Sequence, residues 1–260
     1  MTHQELLIRN TASTKGRSIS ITPTNTSLVV LSCGRIILDR EVNEVSANSE
    51  EQEVALICLK GEGVVTIDSE TYPMKRYDGL YVPPKTAYQV TTESELDLVE
   101  SSAPSEKQSE PQFVSFESVK NDSKLHLTAG EQTYVRDVYR VIDDNVDASR
   151  LICGLTFGKP GNWTSWAPHE HAQTKEEVYL FIDMPKPAFG IQIMYRDLSN
   201  VDFIAPVFED DAVIITQGYH PNVGIPGRGI NFVWMMAALR PEIDRDWTKM
   251  QFDEEFGTSL

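Results

Sequence analysis

A chain of 260 residues, 40% hydrophobic and 24% charged, can bury a large core, either as one big β unit or as two units of ordinary size. Its 39 Asp and Glu against 23 Lys and Arg leave a formal net charge of -16, which argues against nucleic acid or a membrane surface as partner but not against a small anionic substrate. No basic-then-apolar leader opens the chain, no apolar run approaches membrane-spanning length, and Cys33, Cys58 and Cys153 are scattered, so the expectation is a cytoplasmic protein with buried, reduced thiols.

In chain order, residues 27–33 and 35–38 read as strands, followed by an acidic polar loop over 43–52. Residues 53–68 are a strand, a turn bounded by Gly61 and Gly63, and a returning strand; 77–90 add a turn, a short strand and the Pro83-Pro84 stop. The polar stretch 101–110 is the linker expected to divide an N-terminal domain, 1–105, from a C-terminal domain, 111–260. Beyond it, 134–142 and 150–157 alternate as strands, and 159–162 is a turn. Further strands are expected over 189–195, 201–208, 211–215 and 230–236, leaving only the tail near 240–256 with the charge and spacing of a short helix. Many short strands punctuated by Gly and Pro imply a sandwich or a closed barrel.

The chemistry concentrates in residues 163–181. His169 and His171 are two apart, so on an extended strand both imidazoles face the same way. Glu176 and Glu177 follow a short polar break and open an apolar strand, so two strands and a turn can gather two imidazoles and a carboxylate. That is a transition-metal set lacking one ligand, although a surface hairpin with solvated histidines would carry the same pair.

An internal echo extends this reading. Glu53-Val-Ala-Leu-Ile resembles Glu177-Val-Tyr-Leu-Phe, and Asp78-Gly-Leu-Tyr-Val-Pro-Pro-Lys resembles Asp211-Ala-Val-Ile-Ile-Thr-Gln-Gly. The first copy has no His-x-His before Glu53, and Ala87 or Tyr88 stands where the second has His220. A duplicated β-barrel domain with only the C-terminal copy equipped for metal is expected.

The His-x-His, the Glu opening the next strand and the distant His220 resemble the two cupin motifs. More narrowly, Gly161-Asn-Trp-Thr-Ser-Trp-Ala-Pro-His169-Glu-His171, Glu176-Glu-Val-Tyr179, the strand bearing Gln192, the run from Asp211 to His220-Pro221, and Val233-Trp-Met-Met-Ala237 resemble the 5-deoxy-glucuronate isomerases of inositol catabolism. The resemblance implies an all-β bicupin, two jelly-roll β-barrel domains, with a short C-terminal helix. It implies metal-dependent aldose-ketose isomerisation of 5-deoxy-glucuronate to 5-dehydro-2-deoxy-gluconate. His169, His171, Glu177 and His220 would hold one divalent transition metal per chain, zinc first, with Mn, Fe, Co and Ni as alternatives. The break between His171 and Glu176 is shorter than in these isomerases and nearer that of the related 4-deoxy-5-hexosulose-uronate ketol-isomerases.

Strand alternation puts Glu177, Tyr179 and Phe181 on one face, which selects Glu177 as ligand and leaves Glu176 as a turn residue or supporting acid. Glu176 and Tyr179 are the candidates for the catalytic proton carrier, with a metal-bound hydroxide as the alternative. Arg136, Lys175 and Arg196 are candidates to bind the substrate carboxylate, Gln192 joins the substrate-binding set, and Trp166, with Trp163 and Tyr195, could wall the sugar. The remaining readings are an isomerase of another uronate, an Fe-dependent cupin dioxygenase, and a non-catalytic sugar-binding cupin. A homodimer or larger homo-oligomer is expected from exposed strand edges.

Overall fold

The alternating and continuous apolar runs do become strands. In the computed structural model, which describes residues 3–258, they form two large and two smaller antiparallel sheets, with one two-stranded ribbon. The six-stranded sheet has the order Gln112–Val114, Gly79–Val82, Gln52–Gly61, Leu96–Pro104, Ser32–Leu38 and Gly16–Ile21. The seven-stranded sheet repeats that plan as Leu7–Ile8, Ala212–Ile215, Lys175–Phe181, Asn231–Ala238, Leu151–Gly158, Arg136–Ile142 and His126–Ala129. Four-stranded sheets accompany each, one built around Gly63–Ile67 and Ala87–Thr91, the other around Gly190–Met194 and Asn222–Gly224.

The central strands run nearly uninterrupted in apolar residues because both of their faces are covered. Val54, Leu56 and Cys58 point into the first barrel with Ile36, Leu38 and Leu98. Their alternates Ala55, Ile57 and Leu59 join Cys33 and Val99 in one cluster with Leu151, Cys153, Leu155 and Val178 of the second half. The two large sheets therefore share a core. All three cysteines are buried and free, and burial pushes the Cys58 and Cys153 thiols up to about 12, so none is a ready nucleophile.

Three of the acids that mark the sequence echo, Glu53, Asp78 and Asp211, prove to be structural, and Glu53 has a reciprocal counterpart in Glu176. Glu53 accepts the backbone N–H groups of Ser149, Arg150 and Leu151 at 2.7, 2.6 and 2.9 Å. Glu176 accepts those of Val29, Val30 and Leu31, the last two at 2.9 and 3.1 Å. Each half thus caps the start of a strand in the other. Glu53 corresponds to Glu176, one residue from the expected match with Glu177. Asp78 accepts from Lys75 and Phe116, and Asp211 from Phe208 and Asn10. Each aspartate ties its own turn to a segment arriving from elsewhere in the chain.

Two short strands lie across the expected division at 105–111. Leu7–Ile8 pairs with Ala212–Ile215, and Gln112–Val114 pairs with Gly79–Val82, so each half completes the other's sheet edge. Ser101 and Ser102 are also not linker: they are buried within Leu96–Pro104, opposite Cys33 and Ser32. Small polar side chains fit where two sheets approach closely, and their composition mimics a linker.

The expected C-terminal helix is absent among the described residues. The helical segments among the described residues are His3–Leu6 and Phe116–Asn121, the latter capped by Ser115, whose side chain accepts from the Ser118 N–H. Among the described residues, 240–257 instead form turns and the short strand Gln251–Phe252, which pairs with His169–Glu170.

Candidate metal centre

Lys175–Phe181 is buried along its whole length between Ala212–Ile215 and Asn231–Ala238. Its alternation sends Glu177 and Tyr179 into the second barrel and Glu176 out to the first half. His171 and His220 converge on Glu177 from the chain either side. Their Nε2 atoms lie 3.0 and 3.4 Å from Glu177 Oε2, and one ligand atom from each of the three residues falls within 4.8 Å of the others. His169 stands beside this trio, its ring 4.9 Å from that of His220 and 6.4 Å from that of His171.

Each imidazole has a backbone carbonyl within reach of Nδ1: Ala167 for His169 at 3.0 Å, Lys175 for His171 at 3.3 Å and Gly218 for His220 at 2.9 Å. A carbonyl can only accept, so these contacts put the single proton of each neutral ring on Nδ1 and leave Nε2 bare. Burial enforces neutrality, holding His169 and His220 down to about 3 and His171 to about 4. Bare nitrogens then confront a carboxylate, and lone pairs meeting at these distances repel unless a proton or a metal cation lies between them. Glu177 Oε1 and His220 Nε2 are buried without a hydrogen-bond partner. Burial also raises the Glu177 carboxyl to about 7. The donor set therefore fits a divalent transition metal, with the carbonyls acting as the outer groups that orient the rings.

Arg136, Ser165, His169, Glu177 and Tyr179 border one small cavity. The Arg136 guanidinium is buried and donates only to main-chain oxygens, those of Tyr134 at 3.1 Å and Trp166. No carboxylate pairs with it among the described residues, and desolvation lowers its pKa to about 10. It remains charged at neutral pH and has donors to spare. The Tyr179 hydroxyl sits 2.9 Å from Ser165 Oγ, and burial, with Glu177 nearby, keeps the phenol protonated.

The other expected site residues lie elsewhere or act differently. Glu176 is neither a turn residue nor an acid of the cavity, because its carboxylate is consumed by the 29–31 backbone. Arg196 forms a two-pronged pair with Asp202 on the exposed surface. Lys175 shares the inward face of its strand, but its ammonium donates to the carbonyls of Asp246 and Lys249, both at 2.8 Å, and to Thr174 Oγ1. Gln192 holds the His220 turn, donating to the His220 carbonyl at 2.9 Å and accepting from Asn222 at 3.0 Å. Trp166 contributes its carbonyl to Arg136, while its ring packs on Trp163 and Phe256. Tyr195 donates to Asp253 at 2.8 Å instead of facing the cavity.

Sequence reading missed Ser165, Trp247 and Met250. Ser165 lay within the run that was singled out, yet a lone serine carries no spacing signal. Trp247 and Met250 reach the cavity only through the path of the tail.

Residues 6–257 match the sequence profile of the KduI/IolB family. The 5-deoxy-glucuronate isomerase of Bacillus subtilis (strain 168) is 27% identical over 195 residues, covering 68% of this chain and 70% of that protein. The 4-deoxy-L-threo-5-hexosulose-uronate ketol-isomerase of Caldicellulosiruptor bescii is 25% identical over 196 residues, covering 72% and 68%. Among solved structures, an IolB-like protein from Salmonella typhimurium superimposes with a TM-score of 0.85 over 96% of this chain and 97% of that one, at 23% identity. Oxalate decarboxylase of Bacillus subtilis superimposes with a TM-score of 0.63 over 90% and 79%, at 9% identity, which shows the shared bicupin fold. No helix among the described residues is long and apolar enough to cross a membrane.

Proposed function

The chain belongs to the KduI/IolB family, and on that premise we propose that it is a divalent-metal-dependent aldose-ketose isomerase of a deoxy-uronate. The substrate assigned is 5-deoxy-glucuronate, isomerised to 5-dehydro-2-deoxy-gluconate as in inositol catabolism. The observation that carries this reading is the convergence of the bare Nε2 atoms of His171 and His220 on Glu177, each ring oriented by a carbonyl. His169 is the fourth ligand in this reading, and zinc is the metal of first choice. A bound divalent cation supplies Lewis-acid polarisation of a carbonyl and stabilises the anion left when the adjacent carbon loses a proton.

The chain's own groups bind and orient the substrate. Arg136, charged and without a carboxylate partner, receives the substrate carboxylate, and its planar fork suits two parallel hydrogen bonds. Tyr179 stays protonated and so donates to a substrate oxygen rather than acting as a base, and Ser165 sets the direction of its hydroxyl. Gln192 and Asn222 lock the main chain around His220. The apolar walls supplied by Phe232, Trp234 and Met236 exclude water from the reacting carbons.

The relative from Caldicellulosiruptor bescii, aligned over a similar span at similar identity, favours a second reading, isomerisation of 4-deoxy-5-hexosulose-uronate. Assays of zinc-loaded protein with both uronates decide between them, the larger kcat/KM naming the substrate. Oxygen uptake by iron-loaded protein without isomerisation sinks the isomerase reading in favour of a dioxygenase. Full activity of His171→Ala sinks any metal-centred mechanism.

A further inference from the structure

The cavity beside Glu177 measures about 40 Å3. At roughly 10–15 Å3 of such space per water, it admits about three waters. A six-carbon sugar acid is several times larger, so a wall has to withdraw before the substrate of the proposed reaction can reach the ligand trio.

Most of that wall cannot move cheaply. Arg136, Val138, Thr156, Glu177, Tyr179, Phe232, Trp234 and Met236 sit on strands of the seven-stranded sheet, hydrogen-bonded to neighbours on both sides. Trp247 and Met250 are different, because they arrive on the tail that crosses the mouth. The root of this tail is fixed: Arg240 pairs with Asp244 through two bonds of 2.8 and 2.6 Å, and Arg245 donates to the carbonyls of Leu151 and Val146 at 3.0 and 3.1 Å. Beyond Arg245, Trp247 packs near Trp234 under the Arg140 guanidinium, and the remaining attachments lie around the site. The Lys175 ammonium holds the Asp246 and Lys249 carbonyls, Gln251–Phe252 pairs with His169–Glu170, Tyr195 donates to Asp253, and Phe256 meets the edge of Trp166. Lys175 is buried without a carboxylate partner among the described residues, a costly placement that the two tail carbonyls offset.

We propose that residues 246–257 are a lid that opens to admit the sugar acid and recloses with Trp247 and Met250 against it, the Lys175 ammonium acting as its latch. The lid rests on the isomerase reading only in the identity of what it admits. Its opening severs the two carbonyl contacts of Lys175, the two-residue ribbon at His169, the Asp253 bonds to Tyr195 and to the Pro168 carbonyl, and the Phe256–Trp166 contact, and leaves the barrel ladders intact. Because the ribbon includes His169, closure and ligand placement are linked.

Hydrogen exchange on the zinc-loaded full chain, with D-glucuronate as the probe, tests this. The amides of 247–253 are expected to exchange at least tenfold faster than those of Asn231–Ala238, and saturating D-glucuronate to slow them fivefold or more. Lys175→Met, and independently the milder Tyr195→Phe, are expected to quicken exchange of 247–253 without changing that of 231–238. Met250→Ala is expected to alter the Kd for D-glucuronate about tenfold at unchanged zinc content. The lid is overturned if 247–253 exchange as slowly as 231–238 in the wild type and in Tyr195→Phe, or if bound D-glucuronate leaves their exchange unaltered. Absence of turnover for every uronate sinks the isomerase instead, while exchange in the ligand-free protein still decides the lid.

Discussion

Replacing Glu176 by alanine separates a structural role from a catalytic one. Its carboxylate accepts three backbone N–H groups from the other half of the molecule. Val29 is 70% exposed, so water can take over its N–H, but those of Val30 and Leu31 lie in half-buried to fully buried surroundings. Each orphaned buried donor costs about 1–3 kcal/mol, so the pair costs roughly 4 kcal/mol. For a chain of this size that corresponds to a fall in Tm of about 8–16 °C. Because Glu176 points away from the cavity, zinc content and kcat, measured well below the new Tm, are expected to stay within about twofold of wild type. Glu53→Ala, which frees the N–H groups of Ser149, Arg150 and Leu151 in the mirrored clasp, should lower Tm by a similar amount. Calorimetric melting beside metal analysis and steady-state kinetics reads all of this. An unchanged Tm with turnover lost would refute the assignment and return Glu176 to the active site.

The remaining predictions concern the centre. In the proposed reading zinc binding requires Glu177 ionised, and its carboxyl, raised from 4.5 to about 7 by burial, holds a proton below that pH in the metal-free protein. The sign follows: a raised folded pKa stabilises the metal-free fold below pH 4.5, an advantage lost as pH rises through 7, and zinc reverses that loss. The lowered histidines, at about 3 to 4, hold no competing proton above pH 5. Zinc stabilisation should therefore grow from pH 5 to 7 by about 1.4 kcal/mol per unit and level off above; melting curves with and without zinc that differ equally at pH 5 and 8 would contradict it. Arg136→Met should raise KM for a uronate by about 30-fold or more with little loss of Tm, because the buried charge it removes has no carboxylate partner; an unchanged KM would place the carboxylate elsewhere. His220→Ala should purify with a small fraction of the wild-type zinc, read by metal analysis, and fully loaded protein would remove it from the ligand set.

Local pattern reached far into this site. Alternation along one apolar strand was enough to separate Glu177 from Glu176, since neighbours on a strand face opposite ways in any sheet. The same rule says only that Glu176 faces outward, not what it meets, and its partners lie more than a hundred residues earlier in the chain. Lys175, Gln192 and Arg196 show the limit from another side. A cation or amide near a ligand is recognisable as polar, but its partner decides its work: Asp202 for Arg196, tail carbonyls for Lys175 and the His220 turn for Gln192. The tail near 240–256 has the composition of a helix, yet its main chain is drawn onto the barrel, where Lys175 takes the Asp246 and Lys249 carbonyls and Gln251–Phe252 pairs with His169–Glu170.

From sequence alone came the β class, the doubled plan and the strand that carries Glu177 inward, because strand period and turn residues are local properties. Tertiary structure alone decided that the halves exchange edge strands, that paired acids clasp each other's backbone, and that the tail lines the cavity. These depend on which buried donor meets which acceptor across the shared core, and that is settled only when both sheets are packed.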